Sequence, residues 1–339
     1  MPVDPFPPVT YSIDVVCIGA SAGGVGALQQ LIARLPADFP AAVFVVLHVP
    51  QTGTSVLPNI LNRAGKLPVL HAVNGDPIVH GHVYVAPPGF HLTLERHGMR
   101  VSRGARENGH RPAIDPLFRS AALAFGPRVA GVVLSGLLDD GTMGLREIKR
   151  SGGVAIVQDP ADTAWPSMPQ NALDHVDVDH CARPAAIGDF LVNLVGRART
   201  MPAEHSDAER ALREVRVLTM HEDERDKPGE PSPYSCPECG GVLWELRDGE
   251  LLRFRCRVGH AYTSDVLLSD QVDTIERALW TALRALEEQG ALKRRMAERA
   301  RMQGNAATAA HFDNRTRELN DQAEQVRSLL LAGVGAERK

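Results

Sequence analysis

Five short runs of nearly uninterrupted apolar residues limit what this chain can fold into. They occupy residues 14–19, 41–48, 83–86, 129–134 and 154–158, and helical stretches at 55–63, 116–125 and 144–151 lie among them. Strands that are buried on both faces have such continuous apolar sequences, and their alternation with helices indicates parallel pairing. We therefore predict an α/β fold over residues 1–200, a doubly wound and mostly parallel sheet with helices on both faces.

A turn of small residues joins the first strand to the first helix. Gly19, Ser21 and Gly23 fit the G-x-S-x-G pattern, in which a sharp strand-to-helix turn exposes a serine hydroxyl above the sheet. Free amides at the start of the helix, with the Ala22 N–H as the first donor, would stabilise an oxyanion beside Ser21. Glycine-rich first turns also hold phosphate in nucleotide-binding folds, so the turn alone permits two interpretations.

The residues around the turn argue against a nucleotide site. No Gly-Lys-Ser/Thr triplet follows, no G-x-G-x-x-G pattern fits residues 19–26, and the second strand ends in His48 where a ribose-binding acid would be expected. Functional groups gather at the carboxyl ends of parallel strands, where both Ser21 and His48 lie. We therefore expect a hydrogen bond between the Ser21 hydroxyl and the His48 imidazole.

The loop after residues 129–134 offers a group that would orient this imidazole. It contains two carboxylates, Asp139 and Asp140, and either would complete a Ser/His/Asp triad. In such a triad His48 accepts the Ser21 proton and returns a proton to the leaving group. The chain order Ser, His, Asp differs from that of the common α/β-hydrolases, in which the acid precedes the histidine. The residues thus predict an esterase or amidase of a less common topology.

Composition narrows the class of protein further. The formal net charge of −4 provides no broad basic field for nucleic-acid binding. No apolar run reaches the roughly 18 residues of a transmembrane helix, and the start of the chain lacks the basic and apolar regions of a signal peptide. We expect a cytoplasmic protein that neither binds nucleic acid nor inserts into a membrane.

The chain changes character near residue 200. Residues 201–233 form a charged, proline-rich run that we interpret as a linker, and a compact Cys/His segment at 234–262 follows it. The candidate metal ligands in this segment are Cys236, Cys239, Cys256 and His260. Two knuckles joined by a hairpin are typical of a structural zinc site, whereas a redox Cys-x-x-Cys would leave the second knuckle unexplained. We predict a zinc-ribbon-like module.

Two long helical patterns, at about 266–302 and 305–331, follow the module. Apolar residues recur along the first at helical spacing, namely Val272, Ile275, Leu279, Leu283 and Leu286. A break near Gly304 separates the two patterns, so we predict an antiparallel α-helical hairpin within residues 263–339. Its charged, amphipathic character suits packing on the zinc module, and it equally suits oligomerisation or docking of a regulatory partner; the sequence leaves these open.

Six motifs follow one another in the α/β region. They are Gly19-Ala-Ser21-Ala-Gly-Gly24, Leu47-His48-Val-Pro50, Tyr84-Val-Ala-Pro-Pro-Gly89 with His91, Arg111-Pro-Ala-Ile-Asp115, Leu134-Ser-Gly-Leu-Leu-Asp-Asp140-Gly-Thr-Met-Gly144, and Gln158-Asp-Pro with Met168-Pro169. In this order they resemble the catalytic domain of the chemotaxis-receptor methylesterases, the CheB-type family, over residues 10–197. Six ordered motifs are far more specific than any one of them.

This resemblance implies hydrolysis of glutamate γ-methyl esters on chemoreceptor helices, and often deamidation of receptor glutamines, without a catalytic cofactor. It implies that Ser21 is the nucleophile, His48 the base and Asp140 the acid. The family's glycine-methionine-glycine segment before the acid reads Gly136-Leu137-Leu138 here, and the Leu137 amide would serve the oxyanion hole. The best-known members carry a receiver domain ahead of the esterase domain, whereas only about a dozen residues precede the first strand here, so we expect a receiverless form.

Two other residues of the motifs have less specific roles. Arg111 either contacts an acidic substrate helix or has a packing role. Asp115, directly before Pro116, is expected to cap the helix that begins there. The sequence is compatible with two functions. One is a methylesterase that acts on methylated receptor helices, and the other is a non-catalytic signalling adaptor that recruits a partner through its zinc and helical modules. The presence of Ser, His and Asp together favours the enzyme.

Overall fold

The computed structural model describes residues 9–50, 55–197, 199–201, 229–248 and 251–332. Its contacts divide the chain into two compact units, residues 1–266 and residues 267–339. Most of the linker predicted at 201–233 lies outside the described residues, because 202–228 are not among them.

The first unit is built on a seven-stranded parallel sheet. In spatial order its strands are β10 (His180–Ala182), β9 (Val154–Gln158), β8 (Val129–Val133), β2 (Val15–Ala20), β3 (Ala42–Leu47), β5 (Val83–Val85) and β4 (Val69–His71). Every residue of β2, β3 and β8 is buried, as their continuous apolar sequences predict. The chain runs from β2 to one side of the sheet and later returns to the other side at β8, so functional groups are expected above the ends of these strands.

Helices cover both faces of this sheet, which confirms the predicted fold class. They are α1 (Gly24–Ile32), α2 (Leu57–Ala64), α3 (Ile114–Phe125), α4 (Thr142–Arg150), α5 (Ser167–His175) and α6 (Pro184–Leu194). Two hydrophobic cores result: α1, α2 and α6 pack on one face, and α3, α4 and α5 on the other. Two antiparallel pairs complete this part, β1 (Val9–Tyr11) with β11 (Arg199–Met201) and β6 (His91–Glu95) with β7 (Gly98–Ser102).

The Cys/His module is a four-stranded antiparallel sheet in the same compact unit. Its strands are β12 (Glu230–Ser235), β13 (Val242–Asp248), β14 (Leu251–Cys256) and β15 (Ala261–Thr263). Because β12 begins at Glu230, the module starts before the boundary predicted at residue 234. A hydrogen-bonded turn begins at the first ligand of each pair: the Gly240 amide donates to the Cys236 carbonyl, and the Gly259 amide donates to the Cys256 carbonyl. Gly240 and Gly259 both have a positive φ, which glycine adopts readily.

The predicted helical hairpin is present as α7 (Ser264–Met302) and α8 (Ala306–Ala332). Gly304, at the break between the two helices, has a φ of 73°. Leu283 of α7 and Leu319 of α8 are buried, whereas Ile275 is half exposed, so the apolar spacing only partly marks the packed face. Within the described part of the chain, no helix combines the length and the apolar character needed to cross a bilayer.

Candidate active site

The turn after β2 holds Ser21 at the centre of the sheet edge. The Ser21 amide donates to the Ser135 carbonyl at 2.9 Å, which ties the turn to the loop after β8. Gly23 precedes α1 with a φ of 74°, and a Cβ at this position would lie 2.8 Å from Cδ1 of Trp165. Glycine is therefore required here by both backbone conformation and space. The predicted sharp strand-to-helix turn is present.

Ser21, His48 and Asp140 form a hydrogen-bonded line. His48 Nδ1 lies 3.1 Å from Ser21 Oγ, and His48 Nε2 lies 2.8 Å from Asp140 Oδ2. The His48 and Asp140 side chains are only 5% and 2% exposed, which shields the line from water. An imidazole protonated on Nε2 would donate to Asp140 and accept the Ser21 hydroxyl proton on Nδ1. The ring nitrogens thus have roles opposite to those in the chymotrypsin-type triad, while the order of the three groups is the same.

Asp140 lies at the amino end of α3, where free amides surround it. Its Oδ2 accepts from the Ile114 amide at 2.7 Å, and its Oδ1 accepts from the Asp115 amide at 3.3 Å and from Asn108 Nδ2 at 2.9 Å. Burial opposes the carboxylate charge, but the hydrogen bond to His48, the charge of His48 and the Ile114 amide outweigh it and hold the pKa of Asp140 well below its ordinary value. Asp140 is therefore ionised beside His48.

The prediction that Asp115 caps its own helix is wrong. α3 begins at Ile114, and its N-cap residue, Ala113, makes no capping hydrogen bond with its side chain. Asp115 instead accepts from the Gly141 and Gly144 amides, at 3.1 and 2.7 Å, at the amino end of α4. Burial and the neighbouring Asp140 carboxylate raise the pKa of Asp115. Asp115, in the first turn of α3, thus caps α4. Asp140, in the loop just before α4, accepts the first amides of α3, so each acid caps the helix beside the other acid.

Asp139, the other carboxylate of the loop, faces the Cys/His module. Its Oδ1 accepts from the Thr263 hydroxyl at 2.9 Å. Burial raises the pKa of Asp139 to about 6, although the Thr263 hydrogen bond partly opposes this. Of the two carboxylates that the sequence offered, Asp140 is therefore the one that contacts His48.

The two amides predicted for an oxyanion hole border the serine from different loops. Ala22 follows Ser21 in the turn, and Leu137 follows Gly136, whose missing Cβ would lie 2.8 Å from Ser21 Cβ and 2.0 Å from Met168 Sδ. The Gly136 amide donates to the Trp165 carbonyl at 3.0 Å, so it does not face the serine as a free donor. The oxyanion role of Ala22 and Leu137 stays a prediction.

His110 is a site residue that the sequence did not reveal. Its ring stacks on His48 with 3.6 Å between centroids and an interplanar angle of 15°. Burial, with the neighbouring His48, lowers the pKa of His110 to about 4, so its ring is neutral near pH 7. The sequence indicated a role for His110 only through its position directly before the Arg111 motif. Arg111 itself donates to the Gly104 carbonyl at 2.7 Å, and its contact with a substrate helix stays a prediction.

The four candidate metal ligands of the Cys/His module converge. The ligand atoms of Cys236, Cys239, Cys256 and His260 all lie within 4.8 Å of one another. Cys239 Sγ lies 3.7 Å from Cys256 Sγ, and His260 Nδ1 lies 3.6 and 3.5 Å from the sulfurs of Cys236 and Cys256. Tetrahedral zinc with Zn–S bonds of about 2.3 Å places its sulfur ligands roughly 3.8 Å apart. The separations of these atoms fit such an ion.

Three comparisons place the α/β part of the chain among known proteins. A protein-glutamate methylesterase/protein-glutamine glutaminase from Rhizobium johnstonii is 40% identical over 169 residues, which are 49% of this chain and 46% of that protein. A putative protein of the same description from Leptospira interrogans is 34% identical over 182 residues, 53% of this chain and 94% of that protein. The crystal structure of the Thermotoga maritima CheB methylesterase catalytic domain matches with a TM-score of 0.53 and 32% identity, over 55% of this chain and all of that domain.

The extent of these matches separates the α/β part from the modules that follow it. The chain spans less than half the length of the Rhizobium relative. The family model described as CheB methylesterase matches residues 16–191, which excludes the Cys/His module and the helical hairpin. Because this match covers slightly more than half of the 339 residues, the chain belongs to the CheB methylesterase family.

Proposed function

We propose that this protein is a protein-glutamate methylesterase that also deamidates glutamine side chains. The observation that carries the proposal is the hydrogen-bonded line of Ser21, His48 and Asp140 at the sheet edge of a chain in the CheB methylesterase family. The names of its relatives in Rhizobium and Leptospira support the same two activities.

The geometry supports an acyl-enzyme mechanism. His48 Nδ1 takes the Ser21 proton as Oγ attacks the ester carbonyl carbon, and the resulting oxyanion accepts hydrogen bonds from the Ala22 and Leu137 amides. Collapse of this intermediate breaks the carbon–oxygen bond to the methoxy group, which leaves as methanol with the proton from His48. Water then attacks the acyl-serine, His48 transfers the water proton to Ser21, and glutamate is released. A glutamine side chain follows the same steps with ammonia as the leaving group.

The proposed substrates are methylated or amidated helices of the cytoplasmic part of a chemoreceptor or similar receptor, and we expect the protein to act there. Each reaction unmasks a carboxylate on the helix surface, so both change the charge of the receptor in the same direction. The alternative, a non-catalytic signalling adaptor, is disfavoured because a binding surface needs no buried, ionised acid behind a histidine.

We further propose that Cys236, Cys239, Cys256 and His260 hold a structural zinc ion. Four protein ligands leave no open position for substrate or water, as is usual for structural rather than catalytic zinc. The Tyr262 hydroxyl lies 3.4 Å from Cys236 Sγ, and such a contact to a ligand sulfur orients it toward the metal. The zinc therefore has no step in the hydrolysis itself.

Methanol release from a methylated chemoreceptor fragment tests the proposed activity. The wild-type protein should release methanol and convert receptor glutamines to glutamates, and Ser21→Ala should lower both rates by at least about 1,000-fold. Asp189→Asn, which removes an exposed partner of Arg34, is the matched surface control and should leave both rates unchanged. Equal methanol release by wild type and Ser21→Ala would overturn the assignment.

A further inference from the structure

The Cys/His module continues its sheet onto the segment that precedes the Arg111 motif. The Asn108 amide donates to the Ala261 carbonyl at 2.8 Å, and the Ala261 amide donates to the Arg106 carbonyl at 3.2 Å. Glu107 and Ala261 thereby form a parallel bridge, so residues 106–108 extend the module's sheet beside β15. This bridge connects the module directly to the α/β part.

The Asn108 side chain links β15 to the catalytic acid. Its Oδ1 accepts from the Thr263 amide at 3.2 Å, and its Nδ2 donates to Asp140 Oδ1 at 2.9 Å and to Asp115 Oδ2 at 3.2 Å. Asn108 is 4% exposed, with a φ of 50° that few residues other than glycine, asparagine and aspartate adopt readily. The Asn108 side chain thus contacts the module and both acids, Asp140 and Asp115.

Thr263 makes a second connection to the same loop. Its hydroxyl donates to Asp139 Oδ1 at 2.9 Å, directly beside Asp140 in the chain. The backbone amide of Thr263 fixes Asn108, and its side chain fixes Asp139, so the end of β15 contacts the surroundings of Asp140 from two sides.

A buried charge cluster holds the module in this position. Glu107 Oε2 accepts from Arg119 of α3 at 2.6 Å, and Glu107 Oε1 accepts from Arg255 of β14 at 3.1 Å. All three side chains are at most 3% exposed. Because an unpaired buried charge is costly, a displacement of the module would have to hydrate Arg255 and leave Glu107 with one partner fewer. Arg255 directly precedes Cys256, and Ala261 directly follows His260, so the candidate metal ligands flank the residues that make these contacts.

We propose that the Cys/His module is a positioning element of the active site. Thr263 and Asn108 hold Asp140 in line with His48, and metal in the module keeps β15 in place, so the reactivity of Ser21 depends on metal that takes no part in the chemistry. The proposal rests on the proposed function only in taking Ser21 as a nucleophile activated by His48 and Asp140. It assigns to the module, which lies outside the family match at 16–191, a role in catalysis.

The rate at which a fluorophosphonate labels Ser21 in the full-length protein tests this dependence without the receptor substrate. Removal of metal with a chelator should lower the labelling rate by at least about tenfold, and added Zn²⁺ should restore it. Thr263→Val, which keeps the backbone contact to Asn108 but loses the hydroxyl, should label about fivefold more slowly, and Thr263→Ser within about twofold of wild type. The adjacent Ser264→Ala, whose hydroxyl contacts the Leu252 carbonyl, is the control and should label at the wild-type rate.

A second readout separates positioning from general stability. The proton shared by His48 Nε2 and Asp140 Oδ2 should give a strongly deshielded proton NMR signal, which should weaken in metal-free protein and in Asn108→Asp while circular dichroism shows a folded α/β sheet. The proposal is overturned if folded, metal-free protein keeps the signal and labels at the wild-type rate. It is equally overturned if Thr263→Val labels as fast as Ser264→Ala. Metal-dependent labelling in a protein that releases no methanol would refute the methylesterase assignment and leave this proposal standing.

Discussion

At the scale of single residues, Asp140 combines two roles that support each other. The amides of Ile114 and Asp115 and the Asn108 side chain donate to its carboxylate, which satisfies the start of α3 and keeps the acid ionised. The remaining hydrogen bond goes to His48. An acid fixed by a helix terminus cannot rotate away from the imidazole, so the same contacts that stabilise the fold orient the His48 ring.

Asp140→Asn should therefore leave the fold in place and lower activity strongly. The amide that replaces the carboxylate cannot stabilise the imidazolium, so we expect kcat to fall by about 1,000- to 10,000-fold, as for the equivalent change in a chymotrypsin-type triad. Steady-state methanol release measures the effect, with Asp189→Asn as control. A loss of less than about tenfold would show that Asp140 is not the orienting acid.

Asp139 should make the stability of the protein depend on pH. Its pKa in the folded protein is about 6, above the ordinary value near 4. A carboxyl group with a raised folded pKa contributes stability that is fully present below about pH 4 and is lost as the pH rises through about 6. Asp139→Asn should therefore flatten the pH dependence of the unfolding free energy between these values.

Urea unfolding of wild type and Asp139→Asn at a series of pH values provides this measurement. Both proteins retain Asp115 and Asp140, so the difference between their curves isolates Asp139. Parallel curves between pH 4 and 6 would contradict a raised pKa for this group.

At the scale of elements, the site depends on two loops whose backbones approach each other so closely that no side chain fits between them. Gly136 after β8 lies against Ser21 after β2, and Met168 at the start of α5 closes the contact. The sheet sets the positions of the strand ends, and the glycines let the loops above them meet. Close packing of these loops leaves Ser21 a single backbone position.

Gly136→Ala should disrupt this packing. The new methyl group would lie 2.0 Å from Met168 Sδ and 2.8 Å from Ser21 Cβ, so Ser21 must move out of line with His48. We expect methanol release to fall by at least about tenfold, since small misplacements of reacting groups have large effects on rate.

Gly26→Ala is the matched control for this change. Gly26 lies in α1, nothing lies within 4 Å of an added Cβ, and alanine should stabilise the helix by about 0.5–1 kcal/mol. Gly26→Ala should therefore release methanol at the wild-type rate and unfold at a slightly higher temperature than wild type, whereas Gly136→Ala should release methanol more slowly. A Gly136→Ala protein with wild-type activity would refute the close approach of the loops.

The predictable parts of the fold are those with a strong local signal. Continuous apolar runs predicted the central strands β2, β3, β8 and β9, and apolar residues at helical spacing predicted the pair α7 and α8. The sheet-edge strands β4 and β10 were missed because each has three residues of mixed exposure. Helices α5 and α6 were also not anticipated.

The residues of the site likewise divide into those that the sequence predicted and those that it did not. Ser21 and His48 each follow an apolar strand, and the rule that strand ends carry functional groups predicted their contact, with Asp139 or Asp140 as the third group. The family resemblance, not this rule, singled out Asp140. Asn108 and Thr263 have no such signal, because their contact joins residues 155 positions apart and involves a backbone amide. His110 was not predicted as a site residue for a similar reason, because the stacking of its ring on His48 corresponds to no recognisable spacing in the sequence.

At the scale of the whole molecule, the α/β part and the Cys/His module share one buried ion cluster. Glu107→Gln would leave Arg119 and Arg255 buried with one carboxylate fewer, and we expect the free energy of unfolding to fall by about 3–5 kcal/mol. Glu95→Gln removes an exposed partner of Arg100 and should cost less than about 1 kcal/mol. Urea unfolding at neutral pH compares the two, and similar small losses would argue against a tightly held module.

Covalent trapping of the nucleophile tests the central claim most directly. Folded, metal-replete protein is treated with a fluorophosphonate, and mass spectrometry of its peptides locates the adduct. The account predicts one adduct, on Ser21, that is absent from Ser21→Ala and forms far more slowly in Asp140→Asn. An adduct on another residue, or none in the folded protein, would contradict it.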